Sequence, residues 1–194
     1  MTELDNKDNL HDEALRKIGR NVVNFQKIEA LLKVLVLYSS VDFQTRDNEV
    51  THSLNEKSIR NRSLGEAASK FLKNLFKNRV AENEELDCSE LHISIRFYLD
   101  MDAEDVAKEK VELERLVSER NQLIHKDLAS IDFNCVNSCR KLILKLDEQN
   151  SRVLDKLNQL KDIWETFNQM QKELLTYFQS DELLAALIEA KIGT

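Results

Sequence analysis

A chain of 194 residues is long enough for one domain with a proper core, or one domain plus an extended helical arm, and crowded for two full domains. With no proline and only three glycines, turn chemistry is scarce and long helices are favoured, so an all-α fold is predicted. The formal net charge of −7 argues against a protein that coats nucleic acid by bulk electrostatics, and no stretch approaches eighteen apolar residues, which argues against a membrane-spanning helix.

The N-terminal Met1-Thr2-Glu3-Leu4-Asp5 lacks the basic-then-apolar order of a signal peptide, so a cytoplasmic protein with no membrane partner is expected. Cys88, Cys135 and Cys139 are then read as reduced thiols in packing roles. Cys135 and Cys139 could form half a metal site, but no second ligand pair stands at usable spacing, so neither metal nor cofactor is expected.

In chain order, residues 1–9 are polar and are expected to be a flexible N-terminus. From Leu10 to about Ser40 the pattern is helical, with Leu15, Ile18, Val22, Phe25, Leu32 and Val36 on one face and Ile28, Leu31 and Leu35 widening it. Glu29 projects among these inward residues; it either pairs with a buried cation or reaches water at the edge of the stripe. Residues 41–62 carry Asp47, Asn48, Asn55 and Asn61 without a sustained period, which reads as a long loop with at most a short extended piece.

Ser63-Leu64-Gly65-Glu66 has the form of a capping box and starts a helix. Its apolar face is Ala68, Phe71, Leu72, Leu75 and Phe76, and Lys70, Lys73 and Lys77 form a row on the other side, flanked by Arg60, Arg62 and Arg79. Such a row is usually a solvated face, but its spacing also suits a phosphate backbone, so these six cations are candidate RNA contacts. Acidic Glu82, Glu84, Glu85, Asp87 and Glu90 follow without a base. From Leu91 to Leu99 apolar and polar residues alternate, predicting a strand; its partner is sought near Val41–Thr45, near Val50, or in a second subunit.

The next helix has Val106, Leu113, Leu116, Val117 and Ile124 at helical spacing, and the stripe passes through Arg120. An arginine in such a stripe must be paired, hydrogen-bonded or open to a polar cavity, and Glu29 is the obvious candidate to pair with it. His125 lies five residues on, about 140° further around an ideal helix, so the two can border one cavity. After a turn near Asp132, positions 139, 143, 146, 150, 153, 157, 160, 164, 167, 171, 174 and 178 form a coiled-coil seam in which only Asn150 and Gln171 are polar. This is one long helix or two that break near Gln149-Asn150-Ser151, and its seam closes within the chain or between two chains. A final short helix is expected from Ser180 to Gly193.

Arg120-Asn121-Gln122-Leu123-Ile124-His125 resembles the Arg-x4-His motif of the HEPN superfamily, small helical domains of prokaryotic toxin, abortive-infection and RNA-processing systems. The resemblance covers about residues 10–150, with 151–194 as a helical extension packing on the bundle or on a second subunit. It implies a metal-independent endoribonuclease that works as a homodimer, each chain lending its arginine and histidine to one cleft. Under it His125 is general acid or base, Arg120 the phosphate clamp, Asn121 an orienting group and Glu29 an aligner of Arg120. The product would carry a 2′,3′-cyclic phosphate, and an antitoxin or regulator is an expected partner. Some toxins of this superfamily carry a tyrosine, the target of a modifying partner enzyme, two residues after the histidine; here Asp127 stands there. The alternative is a non-catalytic helical dimerisation or interaction protein with an inactive HEPN fold.

Overall fold

A computed structural model describes residues 3–46, 49–53, 59–76, 92–178 and 180. The fold is all-α in class, built on helices α1 (Glu3–Tyr38), α2 (Leu64–Leu75), α3 (Ala103–Gln122) and α4 (Val136–Phe178). Beside the helices is a small antiparallel sheet of β1 (Ser40–Arg46), β2 (Glu49–Ser53) and β3 (His92–Arg96). The backbone of α1 is already helical at Glu3, where a flexible terminus is expected from the sequence.

The longest helices, α1 and α4, lie side by side and run parallel. His11 meets the Phe133 ring at 5.2 Å near one end, and Tyr38 meets Trp164 at 5.4 Å near the other. The seam of α4 is unbroken through Gln149-Asn150-Ser151 and closes within the chain: Cys139, Ile143, Leu146, Val153, Leu157, Leu160 and Phe167 are all buried. Of its two polar positions Asn150 is explained by pairing, since Asn24 of α1 donates to Asn150 Oδ1 at 3.0 Å. One turn away Asn21, fully buried, donates to Gln149 Oε1 at 2.9 Å and to the Leu146 carbonyl at 2.8 Å. A register slip would leave these amides buried and unpaired, so they fix the alignment of two otherwise apolar helices.

Ala14, Ile18, Phe25, Ile28, Leu32 and Leu35 form the inward face of α1, and Leu15 lies outside it, 44% exposed. The capping box of α2 is present: Ser63 Oγ accepts from the Glu66 amide, and Glu66 Oε2 accepts from the Ser63 amide at 2.9 Å. Phe71 and Leu75 of α2 are fully buried against this core. Asp102 caps α3 by accepting from the Asp105 amide at 2.8 Å.

Residues 41–62 are not a loop throughout. They hold most of the β1–β2 hairpin, and β1 is the central strand, pairing Val41 with Ile95 and Phe43 with Ile93 of β3 and Phe43 with His52 of β2. The strand expected at 91–99 is observed at 92–96, its partner is the Val41–Thr45 segment, and no second subunit is needed. The Asp and Asn residues obscured the alternation of Val41, Phe43 and Thr45. Beyond β3, the Phe97 amide bonds to the Ser39 carbonyl and the Leu99 amide to the Leu75 carbonyl, tying the strand exit to the ends of α1 and α2. Phe97 packs on Phe167 at 5.4 Å.

At the start of α4, Cys139 is buried and donates to the Phe133 carbonyl. The Cys135 thiol is pushed below its ordinary value by hydrogen bonds from Ser138 and Asn137. Cys88 and the helix expected after Ser180 lie outside the described residues, and Lys77, Arg79 and the acidic run from Glu82 to Glu90 do too.

An ion cluster joins α1 to α4: Lys17 bonds Asp147 and Glu13, and Arg20 bonds Asp147 at 3.1 Å. The bond to Asp147 raises the Lys17 pKa, and the same bond lowers that of Asp147. The Asp147 share of stability is therefore present above the ordinary carboxylate value of 3.8 and lost as pH falls through its lower folded value. The Lys17 share is present below 10.5 and lost as pH rises through its higher folded value. The stability gap between wild type and Asp147→Asn should be widest between those limits and close in acid. Urea midpoints across pH check this, and a gap independent of pH would refute it.

Candidate functional site

Arg120 stands in the α3 row between Leu116 and Leu123, both buried, yet is itself half-buried rather than enclosed. Its guanidinium donates to the neighbouring Asn121 Oδ1 at 3.0 Å. Glu29 does not pair with Arg120. It is bonded at 2.7 Å to Lys33, one turn along its own helix, because a partner four residues away reaches it at the edge of the stripe.

Directly after Arg120 the helix changes pitch. Leu123–Asp127 forms a π-helical turn, with the Leu128 amide reaching back to the Leu123 carbonyl. A wider turn rotates the chain less per residue, which brings the five-residue step from Arg120 to His125 closer to one full turn than the ~140° offset of an ideal α-helix. Leu123, seven residues after Leu116 on the same row, is completely buried, and Ile124 is half-buried. His125 and Lys126 are exposed on this turn.

The π turn is clamped at its last residue. Asp127 accepts from Gln122 Nε2 at 3.0 Å and from Lys145 of α4 at 2.5 Å. Asp127 thus ties the motif turn to the longest helix, a role sequence reasoning did not assign to it. The i,i+5 spacing of Gln122 and Asp127 was the only available signal, and it suits a π turn rather than an α-helix.

The site helix is held to α4 mainly by charge. Lys156, 1% exposed, bonds Glu109, Glu112 and Gln159, and Arg152 bonds Glu119 at 2.9 Å. Only Leu113 and Leu116 of α3 itself are buried.

The expected RNA-binding row is only partly basic. Lys70 and Lys73 lie on the outer side of α2, but Glu66 is on the same side, bonded to Arg62 at 2.7 Å. The Ser63 amide, followed by Arg62, holds the Glu66 carboxyl well below its usual range, at about 2, so it is ionised at any physiological pH. Arg60 sits instead over α1, where it lines an open groove of about 470 Å³ with Ala30, Lys33, Val34, Leu37 and Ile59. That groove is not at Arg120 and His125.

Among the described residues no group of three or more His, Cys, Asp and Glu side chains is placed to hold a metal ion, and no helix is long and apolar enough to cross a membrane. Compared with known proteins, the chain matches no family model, no curated protein and no solved structure.

Proposed function

We propose that the chain is a metal-independent endoribonuclease of the HEPN type, acting through Arg120 and His125. The observation that carries this reading is the π turn that presents an exposed histidine just after an arginine oriented by its neighbour. Turns of this kind are rare and cluster at functional sites.

The residue types fit the chemistry. The RNA 2′-oxygen attacks phosphorus and forms the new P–O bond while the P–O5′ bond breaks, leaving a 2′,3′-cyclic phosphate and a free 5′-hydroxyl. His125 takes the 2′-hydroxyl proton or supplies one to the leaving 5′-oxygen. Arg120 stabilises charge on the phosphorane through its fork of donors, and Asn121 holds that fork in place. One histidine cannot serve both proton transfers in one event, so a homodimer that joins two Arg120–His125 pairs suits the reaction. The α4 seam is occupied inside the chain, so such a dimer would form on another surface. RNA reaches the site in the cytoplasm, with Lys70, Lys73 and Arg62 as phosphate contacts, and an antitoxin-like regulator would restrain it.

The test is expression in a bacterial host with mapping of new RNA ends. Growth arrest with cyclic-phosphate ends, lost in both His125→Ala and Arg120→Ala at equal protein level, is the expected result. Wild type and variants behaving alike in purified form, with and without chelator, would sink the reading. The second reading, a non-catalytic interaction protein, is favoured by the exposure of His125 and its distance from the groove that Arg60 lines.

A further inference from the structure

Helix α1 has two apolar faces. One packs into the core. Opposite it, Leu15, Gly19, Val23, Ala30, Val34 and Leu37 lie within a band of about 100° of arc that also holds Arg16, Gln26 and Lys33, extending about 33 Å along the helix. Leu15 and Val23 are 44% and 47% exposed, and Gly19 and Ala30 are exposed too. A side-chain carbon added at Gly19 would meet nothing within 4 Å, so another backbone could approach closely there. Over its last two turns the band becomes the floor of the groove that Ile59 and Arg60 wall. A helix apolar on both sides is ordinarily buried on both.

Charge selects the occupant. Lys27 and Arg60 rim the band, with Arg16 near its start, while Lys33 is paired with Glu29. Of the nearby acids Glu29 is neutralised by Lys33 and Glu13 is bonded to Lys17, which leaves Asp12 at the far end. A second copy is the poorer occupant, because a two-fold contact would set this basic rim against itself. We propose that the outer face of α1 and its groove dock an amphipathic helix of another protein whose apolar stripe is flanked by acidic residues. Recognition of this kind reads the incoming helix at i, i+3, i+4 and i+7.

The probe is a labelled synthetic helix of about three heptads, with leucine on its seam and glutamate on its flanks, titrated into the full chain by fluorescence anisotropy. A twin carries lysine in place of glutamate. The acidic peptide should bind at least about tenfold more tightly than its twin. Val23→Ser and Lys27→Glu should each weaken it severalfold; both positions are exposed, and thermal melts check that the fold is intact. Equal binding of the two peptides, or no loss in either variant, overturns the proposal. So does a light-scattering mass of a dimer that Val23→Ser converts to a monomer, which would make the face an interface between copies.

Discussion

Replacing His125 by alanine should lower RNA cleavage by about 10²–10⁴-fold, the usual contribution of a positioned general acid or base. Arg120→Ala should cost about 10²–10³-fold, and Arg120→Lys should recover only part of that, because a point charge does not reproduce the planar fork. Glu29→Gln separates the observed geometry from the expected one. Glu29 bonds Lys33 and Arg120 bonds Asn121, so this variant should keep its rate within about twofold, whereas an aligner of the phosphate clamp would show a loss of tenfold or more. Single-turnover cleavage of a labelled RNA, in the presence of chelator, measures all four. Equal rates for wild type and His125→Ala would remove the histidine from the mechanism.

The second large effect concerns stability. Lys156 is buried with its ammonium between Glu109 and Glu112, and one oxygen of Glu109 is already buried without a hydrogen-bond partner. Lys156→Ala leaves the Glu109 charge enclosed without a counter-ion, and about 3–5 kcal/mol of unfolding free energy should be lost. Glu112 is 41% exposed and adds little, since solvent screens it. Replacing both members, Lys156→Met with Glu109→Met, removes the enclosed charge together with its partner and should restore most of the loss. Urea unfolding of Lys156→Met, Glu109→Met and the double closes the cycle. A cost below about 1 kcal/mol for Lys156→Ala would mean that water reaches the pair.

Periodicity located the helices because each buries one continuous face. The α4 seam could be read to within a few residues, and the capping box at Ser63 announced α2. The hairpin was hidden for a local reason: five-residue and seven-residue strands carry too few alternations to outweigh the Asp and Asn residues around them. At the site, Arg120 and His125 were visible as residue types, but the π turn between them was not, since propensity scales say nothing of a local change in pitch. Glu29 and Arg120 both interrupt apolar stripes, which makes each a candidate partner of the other, beside the alternative that Glu29 reaches water. The lysine four residues from Glu29 was the better predictor, being tethered to the same helix. Lys156 stands one position before the seam residue Leu157, where a charge is ordinarily solvated, and only the third dimension shows that α3 covers it.

The parallel pairing of α1 with α4 has a consequence for synthesis. The bond from Lys17 to Asp147 spans 130 residues, and Tyr38 meets its aromatic partner only at Trp164. At a translation rate of about 5–20 residues per second, the first helix waits roughly 6–26 s for the strand of chain that shields it. Closing such long loops also slows folding itself. Throughout that interval the side of α1 that α4 covers in the folded chain is open to solvent. A ribosome-bound chaperone should therefore engage this product early, and transcripts that stall before codon 140 or so should yield aggregates rather than a smaller folded unit.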